Sequence, residues 1–452
     1  MKLITITTLL TFFLFQSTKV QEYNPTYFQK AELLEDLSFV QEKVGNMHPL
    51  FLDEVFAEKW RVKYDLLDKQ LLDSLSINQF YVQLSTLVGE LEDTHTGVSF
   101  PYSERKKYMI GGGGVSMPFS ITIKGHKLYV NEYFGEDRTL AIAGKQVLAI
   151  NGISSEQIIV DIRSIAGVRE RECSDQSVEK LFAMCFWALY GEVQNYQLHV
   201  SDVDSLVKIA AVNNATYFEL KKKYASSQKP EYYQLNFSDD NKLAKLKIAS
   251  FYGGEKYNAF LKEAFEEIKV KGSRQLIIDV RNNPGGRSRG VDSLLNYLTD
   301  KSYSQYKSIG VKVSEELKAN YKQKRPESYA LIANLPNDTL VYLNSETFIH
   351  EPRVKESAFT GDVFIVINER SNSAAATFAG VVKENQLGSI IGNKATGEHI
   401  RYYGDFLSYE LPNTKLMIYV SPKEFIQFGG SNLDKGVEPD VLLKDFEFRG
   451  II

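Results

Sequence analysis

Ser373 stands directly before Ala374-Ala375-Ala376 and follows the apolar run Val363–Ile367. That β-branched run predicts a buried central strand. Asn368–Asn372 breaks the pattern with polar residues, and the alanines open a segment of good helix propensity. Strand, sharp turn and helix thus place a hydroxyl at a helix start, where unpaired backbone N–H groups and a partial positive charge converge. A nucleophilic serine and an oxyanion hole can be assembled together at such a place, which is the chemistry of acyl transfer. The plainer reading of the same residues is a serine N-cap followed by alanines that let the helix pack closely on a sheet.

Other elements must position that serine. Pro25–Leu91 reads as helices, with Leu33, Leu34, Leu37, Val40 and Val44 at helical spacing in Ala31–Val44, followed by Trp60–Leu75 and Ile77–Leu91. This segment ends in Glu92-Asp93-Thr94-His95-Thr96-Gly97, ahead of a strand start at Val98. Gly111–Gly114 lacks the Gly-Lys-Ser/Thr of a phosphate loop and reads as a hinge. Pro118–Phe134 alternates as two strands, and Ala143–Gly152 ends in a hairpin-type Asn151-Gly152. Ser177–Tyr190 reads as a buried helix and Tyr196–Val200 as a strand. After a polar connection at Ser226–Pro230, strand and helix alternate: Lys242–Phe251, Lys256–Lys271, Gln275–Val280, Gly290–Leu298, then the central strand and the Ser373 helix. Ser389–Ile391, Phe406–Leu411 and Leu416–Val420 complete the expected strands, and the alternation predicts an α/β layered domain.

The 452 residues exceed one ordinary core, so two or three domains are expected. A formal net charge of -4 offers no basic footprint, so nucleic acid is not an expected partner. The many aromatics, 26 Tyr and 27 Phe, suit β-rich structure and aromatic-lined grooves. Lys2 followed by the apolar Leu3–Phe15 and the polar Gln16–Gln21 reads as a secretory signal cut between Ser17 and Glu22. The run is short for a membrane span, which needs about 20 apolar residues, so no stable membrane insertion is expected. With no cysteine at the exit, a lipid-modified N-terminal cysteine is not expected either. Cys173 and Cys185 make no disulfide framework or zinc pattern; a bridge between them stays open, and Cys185 reads as a small core residue. No metal cluster or cofactor motif is evident.

Four landmarks occur in one order: Asp93-Thr94-His95-Thr96, Leu276–Gly286 (LIIDVRNNPGG), Ser371–Ala376 (SNSAAA) and Gly436-Val437-Glu438-Pro439-Asp440. With Ile391-Gly392 and Ala395-Thr396-Gly397, this pattern resembles the tail-specific (C-terminal processing) and tricorn-like serine peptidase family. Gly144–Gly152 resembles a stretch of PDZ domains, with Val147 in place of the first Ile, and lies where that family often carries one. The resemblance implies Ser373 as nucleophile, with Ser371 the rival hydroxyl. It implies an oxyanion hole from the N–H of Ala374 and one of Gly285 or Gly286. Glycines there let backbone N–H groups approach a substrate with no Cβ in the way.

One branch of the family uses a lysine as base in a Thr-x-Gly-Lys context. Glu398 stands at that place here and Lys394 lies off the motif, so the serine–lysine dyad does not carry over. The tricorn-like branch uses a histidine preceded by a hydroxyl residue, which Thr94-His95 matches. Histidine titrates near neutrality and can take the serine proton. His399 competes, His48 before Pro49 reads as a turn residue, and His126, His199 and His350 have no supporting context. The branch's acid is a glutamate just before Gly436; the candidate here is Asp434, with Leu433 at the expected place.

The expectations are therefore a signal peptide at 1–20, a helical domain at 21–105, a β-rich PDZ-like domain at 106–205, and an α/β serine peptidase domain at 206–452. The last would have a layered core like crotonase or ClpP. The implied function is a secreted or periplasmic serine endopeptidase acting on unstructured polypeptides or chain ends without a cofactor. The alternatives are a non-catalytic peptide- or ligand-binding protein on the same fold and an esterase. Oligomeric state is not readable.

Overall fold

In a computed structural model, the structure describes residues 23–111, 113–137, 139–166, 175–203, 205–224, 231–352 and 358–443. The expected signal segment 1–20, Gly112 of the glycine run, Cys173 and the whole 226–230 connection lie outside the described residues.

Three helices open the chain: Lys30–Met47, Glu54–Gln70 and Ile77–Val88. Leu33, Leu37, Val40 and Val44 share the inward face of the first and are fully buried, as their spacing requires. The second begins earlier than its apolar pattern predicts because Asp53 caps it, accepting from the N–H groups of Val55 and Phe56. The third starts on a Ser76–Gln79 capping box. Its end tightens into a short 3-10 turn at Gly89–Leu91, and Glu92 adopts a left-handed φ of 48°. That turn swings the chain into Asp93–Thr96. The next residues, Gly97–Val98, then pair antiparallel with the strand Met417–Val420, over three hundred positions later. Thr96 and Ser421 reinforce the joint: the Thr96 hydroxyl donates to Ser421 Oγ and accepts from the Ser421 N–H.

The middle of the chain forms an antiparallel sheet in the order Val207–Ala210, Asn195–Val200, Gln146–Ile150, Lys127–Tyr133, Phe119–Lys124. Asn151 and Gly152, with φ of 51° and 81°, make the hairpin turn to Ile153–Ser154 that their identities predict. Helices Ser155–Ile165 and Asp175–Tyr190 cover the sheet with Ile158, Ile162, Val178, Phe182 and Phe186.

The third region is a six-stranded sheet in the order Tyr233–Phe237, Leu243–Ile248, Gln275–Asp279, Asp362–Ile367, Ser389–Gly392, Val441–Leu442. Its first pair is antiparallel and the rest parallel. Asp362–Ile367 is central and buried, as the Val363–Ile367 run predicts. A four-stranded antiparallel sheet lies beside it, in the order Thr339–Asn344, Tyr306–Val313, Lys423–Gln427, Arg401–Gly404. The sequence reading missed its long strand Tyr306–Val313, where polar and apolar residues do not alternate cleanly. One hydrophobic core joins the N-terminal helices to the middle sheet and reaches Val311 and Ile418; a second fills the parallel sheet around Ile278, Ile365 and Phe378.

Candidate active site

Ser373 terminates the turn after the central strand and sits at the N-cap of helix Ala374–Glu384, with φ 47° and ψ -122°. A left-handed φ at a non-glycine residue is strained and persists where surrounding contacts over-determine it. Those contacts are visible. The Asn372 N–H donates to the Asn283 carbonyl at 2.9 Å. The rival hydroxyl, Ser371 Oγ, is fully buried and donates to the Val280 carbonyl at 2.9 Å while accepting from the Asn368 N–H. Ser371 is thus a tie between the two strand ends, and Ser373 is the partly exposed hydroxyl.

Opposite it runs Arg281–Gly286. Asn283 is fully buried; its amide donates to the Ile248 carbonyl, and its Oδ1 accepts the Gly285 N–H at 2.8 Å. The two glycines, grouped by the sequence reading, therefore separate. The Gly285 N–H is occupied, and what Gly285 supplies is room: a Cβ there would stand 2.6 Å from the Ser373 Cβ and 3.0 Å from the Ala374 N. The N–H groups of Gly286 and Ala374 have no acceptor among the described residues. Gly286, at φ 148°, passes against the backbone of Phe251 and Tyr252 too closely for any side chain.

A cavity of about 460 Å³ opens over Ser373, lined also by Thr94, His95, Pro284, Asn372 and Glu398. It is lined further by Phe100 and by Tyr81, Tyr102, Ile165, Leu181 and Cys185 from helices. Cys185 is a free, buried thiol there, and burial pushes its pKa up to about 12. His95 thus reaches the nucleophile's cavity from a segment 278 positions upstream. Its Nδ1 lies 3.1 Å from Thr94 Oγ1, its N–H donates to Asp93 Oδ1 at 2.9 Å, and its ring leans on Tyr402 at 5.9 Å between centroids. Tyr402 is buried, and burial raises its phenol well above the usual range.

The remaining candidates lie elsewhere. Asp434 is 74% exposed in its side chain and pairs with Arg401 at 2.8 Å. It lines a separate cavity of about 930 Å³ with His399, Glu92, Trp60 and Tyr403. The structure therefore does not bring the expected acid to the cavity of Ser373; its carboxylate pairs with Arg401 at the surface instead. Lys394 is exposed, and neither it, His126, His199 nor His350 lines the cavity. Glu398 does, and is almost fully buried. Sequence reasoning also missed Arg370, in the turn before Ser373. Its guanidinium binds Glu179 at 2.8 Å and 3.1 Å and the Ile123 carbonyl at 2.9 Å, tying that turn to the middle sheet. Among the described residues no cluster of side chains could hold a metal, and no helix is long and apolar enough to cross a membrane.

A strained serine at a helix start and a histidine in one cavity, with the Ala374 N–H next to the serine left open, define a serine hydrolase arrangement. Residues 242–443 match the model of Peptidase family S41, so the chain carries a domain of that serine peptidase family. It is 23% identical over 268 residues to a probable CtpA-like serine protease of Staphylococcus epidermidis, covering 58% of this chain and 47% of that protein. A probable CtpA-like serine protease of Staphylococcus aureus is 23% identical over 191 residues, 42% of this chain and 32% of its own. The chain spans about half or less of the length of these curated relatives. Among solved structures, mature CPAF superposes with a TM-score of 0.65 at 14% identity, over 91% of this chain and 92% of that one, which shows a shared fold.

Proposed function

We propose that the chain is an exported serine endopeptidase that cleaves unstructured polypeptides or chain ends through an acyl-enzyme. The observation that carries this is the meeting of Ser373 and His95 in one cavity, with Ser373 at the N-cap of the Ala374 helix. His95 Nε2 takes the proton of Ser373 as Oγ attacks the scissile carbonyl. The carbonyl π electrons move to its oxygen, and the Gly286 and Ala374 N–H groups receive that charge. The imidazolium returns its proton to the leaving amine as the C–N bond breaks. Water, deprotonated by the same ring, then hydrolyses the ester and restores Ser373.

Support for a peptide substrate comes from the family domain and from the aromatic lining of the cavity, which suits an apolar side chain. The middle sheet, with its Asn151-Gly152 hairpin, is read as a PDZ-like module that holds an extended peptide as an added strand. Beside the parallel sheet it leaves a layered core of the crotonase/ClpP kind. Lys2 and Leu3–Phe15 support export to a periplasm or exterior. The test is hydrolysis of unstructured peptides, with matched esters alongside, by wild type and Ser373→Ala. Peptide turnover that depends on Ser373 supports the reading; ester turnover alone makes the protein an esterase. Equal binding of peptide by both proteins with no turnover by either makes it a non-catalytic binder.

A further inference from the structure

We propose that Asp93, clamped by His48, is the carboxylate that orients His95 and stabilises its protonated ring, in place of Asp434. This rests on His95 being the base of Ser373. Asp93 is buried and has both oxygens fixed. Its Oδ1 accepts the His95 N–H at 2.9 Å and lies 3.8 Å from His95 Nδ1. Its Oδ2 lies 3.3 Å from His48 Nε2. His48 is fully buried, and its Nδ1 accepts the Leu50 N–H at 3.3 Å. The His48 proton therefore sits on Nε2, which donates to Asp93.

The clamp is itself anchored. The His48 ring packs on Tyr403 at 4.6 Å between centroids. The buried Lys312 ammonium donates to the His48 carbonyl at 3.3 Å and to the Gly45 carbonyl, at the C-terminal end of the first helix. Burial alone would raise the Asp93 pKa, but hydrogen bonds from His48 and His95 outweigh it and hold the carboxyl well below the usual range. Asp93 is therefore a fixed negative charge beside the ring that becomes positive during attack. Thr94 Oγ1 is the direct partner of Nδ1, and Asp93, its own carboxylate buried, acts on the ring across 3.8 Å. Other titratable groups line the His95 cavity, namely Lys180, Glu398, Cys185, Tyr81, Tyr102 and Tyr419, while Tyr402 lies against the His95 ring and Tyr403 against His48.

The experiment is the pH dependence of kcat and KM for an activated ester in the full chain. Wild type is compared with Asp93→Asn, His48→Ala, His48→Gln, Glu398→Gln and Asp434→Asn. Asn at position 93 still accepts the His95 N–H, so the turn is kept while the charge is removed. Asp93→Asn is expected to lower kcat on the order of 10²–10⁴-fold with little change in KM. It also moves the half-rise to lower pH, because the imidazolium loses its stabilising charge. His48→Ala moves both in the same direction by on the order of tenfold in kcat, and His48→Gln, which still offers a donor, restores them. An unshifted profile in folded Asp93→Asn or His48→Ala overturns the proposal, as does transfer of the effect to Asp434→Asn or Glu398→Gln. If Asp93→Asn does not fold by circular dichroism, the His48 pair and Asp434→Asn decide alone. Loss of the underlying reading looks different: His95→Ala then turns over ester at the wild-type rate.

Discussion

Ser373 is held from within one pair of neighbouring strands, and His95 from distant parts of the chain. On the nucleophile side a left-handed φ, the Gly285 contact and the Asn283 and Ser371 hydrogen bonds fix one hydroxyl within a few dozen atoms. All of it comes from two neighbouring parallel strands and lies within residues 242–443, the span of the family domain. On the base side the local contacts, Thr94 and Asp93 to His95, are themselves placed from far along the chain. The Asp93–Thr96 segment lies outside that span, and its position depends on a strand pair with Met417–Val420 and a buried His48. The nucleophile side is a motif, the base side a set of long-range contacts. The first fails by steric change at one residue, whereas the second fails in graded steps as each contact is removed.

The largest effect on that contrast is expected from the base itself. His95→Ala should lower turnover by several orders of magnitude, on the scale of losing a triad member, while Lys394→Ala and His399→Ala cost much less. Steady-state hydrolysis with circular dichroism as a fold control reads this. A collapse in His399→Ala alone would move the base to the neighbouring cavity. Gly285→Ala probes the other side. Its Cβ would meet the Ser373 Cβ at 2.6 Å at a φ of +100°. Displacement of the hydroxyl should cost on the order of 10²-fold in kcat. A stability loss of about 1–3 kcal/mol accompanies it, read from urea unfolding. Wild-type kcat in this variant would show that the nucleophile side is not sterically fixed.

The sequence displayed the nucleophile side because Val363–Ile367, Ser373 and the alanines lie within a dozen or so positions, where strand and helix periodicity report directly on structure. The base side was legible only as a resemblance. His48 reads as a turn residue, and it does cap the turn Pro49–Leu52, yet its ring also meets Asp93 across 45 positions. Asp434 stands out in the sequence only by proximity to Gly436-Val437-Glu438-Pro439-Asp440, and spacing carries no information on which way a loop faces. Arg401, with which Asp434 pairs at the surface, lies 33 positions away. The Tyr306–Val313 strand was hidden for a related reason: it is stabilised by Thr339–Asn344 on one side and Lys423–Gln427 on the other, not by its own pattern.

A smaller effect is expected where the middle sheet meets the nucleophile turn. Arg370→Ala removes the contacts to Glu179 and Ile123 and should lower turnover of long peptides by about tenfold or less. Short esters should be affected less. Equal loss on both would make Arg370 a support of the turn and not a coupling to the sheet. This substitution is a cleaner probe than deleting residues 106–205, since that sheet shares one hydrophobic core with the N-terminal helices that position His95.

The effect furthest from the chemistry, on stability and not on turnover, belongs to Lys312, behind the base side. Burial lowers its pKa from 10.5 to about 8. Between those values the unfolded chain holds the proton and the folded chain does not, so stability rises with pH across that window. The rise is on the order of 3 kcal/mol. Urea midpoints from pH 7.5 to 10.5 should climb in wild type relative to Lys312→Met, in which that contribution is absent. Parallel curves would mean that the ammonium is not desolvated.

The most direct measurement is covalent capture of Ser373. Wild type and His95→Ala are treated with a fluorophosphonate, and the adduct is located by peptide mass spectrometry while its rate is followed with pH. The expected result is a single adduct on Ser373, forming at a rate that rises through roughly pH 6–7 as an imidazole loses its proton and that collapses in His95→Ala. An adduct on another residue, or labelling of Ser373 at the same rate without His95, would contradict the pairing of these two residues across the cavity.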